Sequence, residues 1–228
     1  MSVEAVLSER IASVRSRIAE AVRVSGRDPS AVTLVGVTKT AGIEVARNAF
    51  ELGLHDLGES KPQELWRKAA AIPDARWHLI GHLQRNKLDR TVPLVVLVHS
   101  VDSIRLLEAL DAFGAKRGTP VPILLEVNCS REDSKGGFSP EEAAAASDKA
   151  VSLGGVSLQG LMTMAAYGDD PETARPVFAE LRRLNESLRA STGLPLPHLS
   201  MGMSHDYAVA VEEGATLVRI GTTLFEGL

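Results

Sequence analysis

The chain has 228 residues and a formal net charge of −4, with 44% hydrophobic, 24% charged and 4% aromatic residues. This length suits one closed α/β barrel, and this composition predicts a single globular domain over residues 1–228 with an aliphatic core. The small negative charge argues against nucleic acid as a partner, and the lone Cys129 excludes an intramolecular disulfide and favours a reducing compartment.

An amphipathic helix is predicted over residues 1–26. One apolar stripe runs along it at alternating steps of four and three positions: Leu7, Ile11, Val14, Ile18 and Val22. Charged Glu4, Glu9 and Arg10 interrupt the apolar run that a secretion signal needs. The most apolar stretch, residues 92–98, is far shorter than the roughly 20 residues of a membrane-spanning helix. The cytoplasm is therefore the expected location, with no membrane as a partner.

Strands and helices are predicted to alternate over residues 31–228. The apolar, β-rich runs are residues 32–37, 55–57, 77–80, 94–99, 121–127, 157–162, 198–200 and 216–220. The clearest helical patterns are residues 43–52, 103–116, 140–153, 171–189 and 204–213. About eight such units without a break in composition predict a (β/α)8 barrel. The alternative, an open doubly wound sheet, lacks its usual dinucleotide-binding fingerprint here.

Lys39 is the first candidate for chemistry. Functional residues of such barrels gather where the strands end, and Lys39 follows the first strand on the same side as Val35 and Val37. A lysine that is partly removed from water is a better nucleophile toward an aldehyde. The alternative is a structural lysine that pairs with Glu59 or Glu126.

A phosphate site is predicted in the loops after the seventh and eighth strands, where α/β barrels often bind this anion. Ser204 ends a Ser-Met-Gly-Met-Ser loop that leads into a helical segment, and Gly221 and Thr222 follow the last strand. The alternative is that Ser204 is only a helix cap and Gly221 only a turn.

Arg219 alternates with Val218 and Ile220 and should therefore point inward at the mouth of the barrel. A buried arginine needs an acceptor, which is either a protein carboxylate or a ring nitrogen of a ligand. Because the last strand of a closed barrel lies between the first and the seventh, Lys39, Arg219, Gly221 and Ser204 should converge. This arc matches a compact ligand with an aldehyde, a ring nitrogen and a phosphate.

Three other patterns carry less weight. Residues 204–206 read Ser-His-Asp, but consecutive side chains splay around a helix and cannot align as a catalytic triad. His78 and His82 lie roughly 13 Å apart on a strand, which is too far for one metal ion. Cys129 is interpreted as a small buried hydrophobic residue.

Several segments resemble the pyridoxal phosphate homeostasis proteins, which are similar in fold to the N-terminal barrel of bacterial alanine racemase, fold type III among pyridoxal phosphate proteins. These are Val-Thr-Lys-Thr at 37–40, Gly-Glu at 58–59, Trp-His-Leu-Ile-Gly-His-Leu-Gln-Arg-Asn-Lys at 77–87, residues 127–136, Gly-Leu-Met-Thr-Met at 160–164, Leu-Ser-Met-Gly-Met-Ser at 199–204 and Val-Arg-Ile-Gly at 218–221. The resemblance spans nearly the whole chain, and the 77–87 and 199–204 motifs are highly specific in combination.

The resemblance implies a site for pyridoxal 5'-phosphate (PLP). Its cofactor contacts would be Lys39, Ser60, His82, Met201, Ser204, Arg219, Gly221 and Thr222. In this reading Lys39 forms a Schiff base, Ser204, Gly221 and Thr222 surround the phosphate, and Arg219 lies near the pyridine nitrogen. An arginine there, unlike an aspartate, does not keep the nitrogen protonated, which weakens the cofactor as an electron sink. No metal is expected.

The implied function is intracellular PLP (vitamin B6) homeostasis without an assigned reaction, with PLP-dependent apo-enzymes as partners and a monomer or weak dimer as the state. The chain departs from the family pattern at Ala41-Gly42, where Lys-Pro is usual, and at Ser60, where Asn is usual. One alternative is a weak amino-acid racemase, which would need a tyrosine opposite the lysine, and the chain has only Tyr167 and Tyr207. Another is an enzyme that forms its Schiff base with a phosphorylated metabolite.

Overall fold

Strands and helices alternate along the chain in the computed structural model, which describes residues 2–132, 135–166 and 168–228. The strands are β1 (Thr33–Val37), β2 (Asp56–Glu59), β3 (Arg76–Leu79), β4 (Leu97–Val101), β5 (Val121–Glu126), β6 (Val156–Met162), β7 (His198–Ser200) and β8 (Leu217–Ile220). The helices are α1 (Val3–Val24), α2 (Ile43–Glu51), α3 (Pro62–Ala71), α4 (Leu88–Thr91), α5 (Ile104–Arg117), α6 (Pro140–Ser152), α7 (Arg175–Thr192), α8 (Tyr207–Glu212) and α9 (Thr222–Phe225).

The eight strands form a closed parallel barrel in chain order, which confirms the predicted fold class. Strand β8 pairs with β1 from Thr33 opposite Leu217 to Gly36 opposite Ile220. This pairing closes the sheet into a ring, in which β1 lies between β2 and β8. All eight carboxyl ends therefore open at one face.

Three elements begin later than predicted. Helix α7 begins at Arg175 rather than at residue 171, because residues Pro171–Ala174 form a 3-10 turn. The other two are β4 and α8. Strand β4 begins at Leu97 rather than at residue 94, because residues Val92–Leu94 form a 3-10 turn around Pro93. Helix α8 begins at Tyr207 rather than at residue 204. The carboxylate of Asp206 accepts a hydrogen bond from the Met203 backbone N–H at 2.6 Å, which keeps the preceding residues in a loop.

The predicted N-terminal helix is confirmed as α1, and the predicted stripe is its buried face. This face contacts α8, α2 and α9 on the outside of the barrel. Arg10 ties the helix to the chain end by donating to the carbonyl oxygens of Leu224 and Glu226 at 3.0 and 2.8 Å. Among the described helices, α1 included, we find none with the length and apolar character needed to cross a membrane.

The barrel contains two kinds of interior. Between strands and helices lies an aliphatic shell, to which Leu57, Ile123 and Leu161 belong. Inside the ring of strands, a small separate group of apolar side chains consists of Val35, Leu97, Leu124, Met162 and Leu217. Buried polar side chains occupy other inward positions of the same strands, which is unusual for a region without water access.

Helix α5 packs on the start of β6 at a contact that leaves no room for side chains. A Cβ atom at Gly155 would lie 2.0 Å from the Asp111 carbonyl oxygen, and one at Gly114 would lie 1.8 Å from the Gly155 oxygen. The backbone N–H of Gly155 also donates to the Asp111 carboxylate at 2.7 Å. The two glycines therefore set the distance between helix and sheet.

We expect Gly155→Ala to lower the free energy of unfolding by about 2–3 kcal/mol, because the new methyl group must push backbone atoms apart. Its neighbour offers a matched control, since a Cβ at Gly154 meets no atom within 4 Å. Urea unfolding of both variants measures the difference. Equal stability of the two variants would contradict this account of the contact.

Candidate functional site

A cavity of about 420 Å³ opens among the carboxyl ends of the strands. Its lining includes six of the eight predicted site residues: Lys39, Ser60, Ser204, Arg219, Gly221 and Thr222. The lining combines a primary amine, a guanidinium and several hydroxyl groups. Another cavity, of about 360 Å³, lies at the opposite end of the barrel and is lined by Arg15, Asp56 and Arg76, among others. It offers no comparable nucleophile, so the first cavity is the candidate site.

The structure places Lys39 at the open mouth, directly after β1, where its side chain is exposed and lines the cavity. Val35 belongs to the apolar group inside the barrel and Val37 lines the cavity, so the alternation expected for this strand is observed. Within the described residues, no carboxylate lies at ion-pair distance from the Lys39 amine. The alternative in which Lys39 pairs with Glu59 or Glu126 is therefore wrong.

Glu59 instead pairs with Lys68 of α3, and both side chains are almost completely buried. The Lys68 ammonium also donates to the Thr38 carbonyl oxygen at 2.6 Å. The Thr38 hydroxyl donates to the Glu59 carboxylate at 2.9 Å, and the Ser60 backbone N–H donates to the same carboxylate at 3.1 Å. This buried pair joins the ends of β1 and β2 to a helix, directly beside Lys39.

The loops after β7 and β8 are joined through Ser204. Its hydroxyl accepts a hydrogen bond from the Thr223 backbone N–H at 3.2 Å, and the Thr223 hydroxyl donates to the Ser204 carbonyl at 3.3 Å. Ser204 therefore contacts the first turn of α9 rather than capping the helix that follows it in sequence. Gly202 allows the loop to turn, with a φ of 92° and with Ala210 only 2.6 Å from where its Cβ would lie.

Arg219 points into the barrel mouth, and its guanidinium is buried. It donates to the Ser200 hydroxyl at 2.6 Å and to the Thr163 carbonyl oxygen at 3.0 Å. Burial lowers the pKa of Arg219 to about 10, against the opposing influence of Glu126 and Asp206, so the group stays protonated at neutral pH. Neither of its protein acceptors is a carboxylate, and its remaining N–H groups are free to meet a ligand.

Two predicted contacts do not line the cavity. His82 lies on the exposed rim, where its Nδ1 atom is 2.8 Å from the Asp102 carboxylate. Met201 is fully buried in the aliphatic shell.

Several polar residues of the interior were missed by the sequence analysis, among them Asp56, Lys68, His78, His99 and Ser200. His78 and His99 lie at inward positions of β3 and β4, and their ring nitrogens are 2.9 Å apart. The one signal that the sequence offers for these two histidines is that each is a polar residue at an inward-facing position of an otherwise apolar strand. Across the described parts of the chain, no group of three or more His, Cys, Asp or Glu side chains is arranged to hold a metal ion.

Two buried groups at or near the site carry shifted acidities. Burial, together with the charge of Asp102, raises the pKa of Glu126 to about 7, although Arg219 and His82 oppose the shift. Burial also raises the pKa of the Cys129 thiol to about 12, which agrees with an unreactive, buried cysteine. Glu126 is therefore a carboxyl group whose pKa lies close to neutral pH, well above its ordinary value of 4.5.

Comparison with known families and proteins gives a consistent result. The family model for the alanine racemase N-terminal domain matches residues 11–228. The pyridoxal phosphate homeostasis protein of Aquifex aeolicus is 42% identical over 95% of this chain and 96% of its own length. The protein of that name from Pseudomonas aeruginosa is 39% identical over 96% of this chain and 94% of its own. The human one is 33% identical, covering 99% and 88%.

Solved structures show the same likeness. A protein from Bifidobacterium adolescentis superposes with a TM-score of 0.90 at 37% identity, covering 98% of this chain and 96% of its own. PipY of Synechococcus elongatus, determined with PLP bound, gives 0.84 at 34% identity, covering 96% and 99%. Alanine racemase of Clostridium difficile gives 0.72 at 15% identity, covering 92% of this chain and 55% of its own, which shows a shared fold alone.

The raised pKa of Glu126 predicts that the free energy of unfolding of the ligand-free protein depends on pH. Its ordinary pKa is 4.5 and its folded pKa about 7, so the stabilisation is complete below pH 4.5 and lost as the pH rises to about 7. The side chain in Glu126→Gln cannot ionise, so this variant should not show the loss. We expect the free energy of unfolding of the variant minus that of wild type to be about 3 kcal/mol larger at pH 8 than at pH 4.5.

Urea unfolding at both pH values measures this difference. Glu51→Gln, an exposed glutamate at the end of α2, is the control and should show no such change. A stability difference for Glu126→Gln that is the same at both pH values would contradict the assignment.

Proposed function

The chain belongs to the pyridoxal phosphate homeostasis proteins, a family with the fold of the alanine racemase N-terminal domain, and from this membership we propose that it binds PLP on Lys39. In this proposal the protein holds the cofactor and supplies it, rather than using it for turnover. The observation that carries the proposal is the convergence of an unpaired amine, a buried guanidinium and the Ser204 and Thr222 hydroxyls on one cavity.

Each part of PLP has a chemical counterpart in the lining. The Lys39 amine would hold the aldehyde carbon as a Schiff base, with release of water. Ser204 and Thr222, with the backbone around Gly221, are suited to bind the phosphate as hydrogen-bond donors. Ser60 lines the same cavity with a hydroxyl where the family usually has an asparagine amide.

Arg219 is suited to the ring nitrogen because it can only donate hydrogen bonds. A ring nitrogen that accepts from Arg219 carries no proton of its own. PLP, when bound, supplies an electron sink, and that sink is weak when its ring nitrogen is unprotonated. The charge of Arg219 at neutral pH thus supports a holding role over rapid carbanion chemistry.

The racemase alternative requires a second acid or base opposite Lys39. Tyr207 does not line the cavity; it is buried, and the Arg17 guanidinium of α1 lies 5.6 Å from its ring centre. Tyr167 lies outside the described residues. No tyrosine of the described chain is therefore placed at the cavity, which favours the carrier over the racemase.

The open mouth supports transfer of the cofactor to other proteins. Lys39 is exposed at the rim, so another molecule can approach the aldehyde carbon of PLP that is bound to it. The proposed partners are PLP-dependent apo-enzymes of the cytoplasm, with this protein acting as a monomer or weak dimer.

We expect the protein to turn yellow on incubation with PLP, and borohydride to attach the cofactor irreversibly to the peptide that contains Lys39. Mass spectrometry of the digested protein locates the modification. Lys39→Ala should remain unmodified, whereas Lys61→Ala, which changes an exposed lysine next to Ser60, should behave as wild type. A colourless wild-type protein that resists modification would overturn the proposal, and with it the racemase alternative.

We also expect no racemisation of alanine at ordinary enzyme rates, on the order of 1 to 1000 per second, because none of the described residues places a tyrosine at the cavity as the acid or base opposite Lys39. Chiral chromatography over several hours measures this, with a PLP-dependent apo-enzyme in a parallel reaction to detect cofactor transfer. Racemisation within that range of rates would favour the enzyme over the carrier.

A further inference from the structure

A continuous row of hydrogen-bonded polar side chains crosses the inside of the barrel. In order, its members are Arg76, Asp56, His78, His99, Ser200 and Arg219. Arg76 and Asp56 lie at the amino ends of β3 and β2 and line the cavity opposite the candidate site. Arg219 lines the candidate site itself. The row therefore connects the two ends of the barrel through its interior.

Every link of the row lies within hydrogen-bond distance. The Asp56 carboxylate is 3.1 Å from Nε2 of His78, and Nδ1 of His78 is 2.9 Å from Nε2 of His99. Nδ1 of His99 is 2.8 Å from the Ser200 hydroxyl, which is 2.6 Å from the Arg219 guanidinium. His78, His99 and Ser200 are all at least 96% buried, so water does not complete these contacts.

The groups at the two ends of the row determine which partner donates in each hydrogen bond. Arg219 can only donate, so the Ser200 oxygen accepts from it and the Ser200 proton goes to Nδ1 of His99. His99 then carries its proton on Nε2 and donates it to Nδ1 of His78. His78 in turn donates from Nε2 to Asp56. Hydrogen bonds from His78 and Arg76 outweigh burial and lower the pKa of Asp56 to about 2, so it is an acceptor.

The opposite direction leaves protons without partners. If His99 donated to Ser200, the Ser200 oxygen would accept twice, and no acceptor for its own proton exists among the described contacts. Nδ1 of His78 would then donate to His99, and Nε2 of His78 would face a carboxylate without a proton unless the ring were a buried cation. One direction alone pairs every proton while both rings stay neutral.

We propose that Asp56, His78, His99 and Ser200 are positioning residues that hold the Arg219 guanidinium in one orientation at the cavity through this one-directional row. The part of the proposal that concerns the cofactor rests on the proposed function. With two N–H groups donated to Ser200 and Thr163, Arg219 has a single way to direct its other N–H groups at a ligand. Burial lowers the pKa of His99 well below its ordinary value, in keeping with a neutral ring.

The first experiment uses the ligand-free protein, so it does not depend on PLP. Proteins labelled with 15N at histidine report the tautomer of each ring by NMR. We expect His78 and His99 both to be neutral with the proton on Nε2. A proton on Nδ1 of His99, or a doubly protonated His78 at neutral pH, would overturn the proposed direction.

The second experiment compares two buried serines. Ser200→Ala removes the acceptor of Arg219, whereas Ser147→Ala removes an equally buried hydroxyl that has no partner in the structure. In wild type we expect separate, slowly exchanging guanidinium NMR signals for Arg219 without ligand. Ser200→Ala should merge them and raise the PLP dissociation constant about tenfold, the effect of losing a hydrogen bond to a charged group. Ser147→Ala should change neither.

The outcomes separate the two proposals. If the protein fails to bind PLP, the proposed function is wrong, and the NMR signals still decide whether the row orients Arg219. If PLP binds but the Arg219 signals and the dissociation constant are the same in wild type and Ser200→Ala, the positioning role is wrong and the proposed function stands. If Ser200→Ala does not fold, the histidine tautomers of the wild-type protein decide.

Discussion

The buried charge of Arg219 is the constraint on which the site depends. A guanidinium that is taken out of water needs acceptors, and here the barrel provides the Ser200 hydroxyl and the Thr163 carbonyl oxygen. Neither acceptor neutralises the charge, so the guanidinium presents its positive charge to the cavity. The inward positions of the neighbouring strands are polar for this reason, where an ordinary barrel of this kind fills them with branched aliphatic side chains.

A buried ion pair has a comparable role for Lys39. Glu59 and Lys68 are both removed from water, which costs free energy unless their remaining hydrogen bonds are satisfied. They are satisfied by Thr38 and Ser60, the residues next to Lys39 and Glu59 in the chain. The exposed Lys39 amine is thus attached to a strand end that buried hydrogen bonds hold in place. A fixed strand end that carries an accessible amine suits the proposed uptake and release of a ligand.

Local patterns were sufficient for the barrel and for most of the cavity. Period-two apolar runs between helical patterns identified the strands, and the rule that function gathers at their carboxyl ends selected Lys39, Ser204, Arg219, Gly221 and Thr222. His82 was selected through the resemblance and lies on the exposed rim beside Asp102. The acceptors of Arg219 were not foreseen, since a hydroxyl and a backbone carbonyl carry no distinctive signal in a sequence.

The sequence by itself determined the alternation of strands and helices, the inward faces of β1 and β8, and the polar residues near the strand ends, because these depend on neighbours a few positions apart. Only the tertiary structure decided which partner each buried polar group has. Glu59 meets Lys68 rather than Lys39, and His99 meets Ser200 from 101 positions away. Such pairs depend on the register between strands and on the closure of the ring, which bring together residues that no local pattern connects.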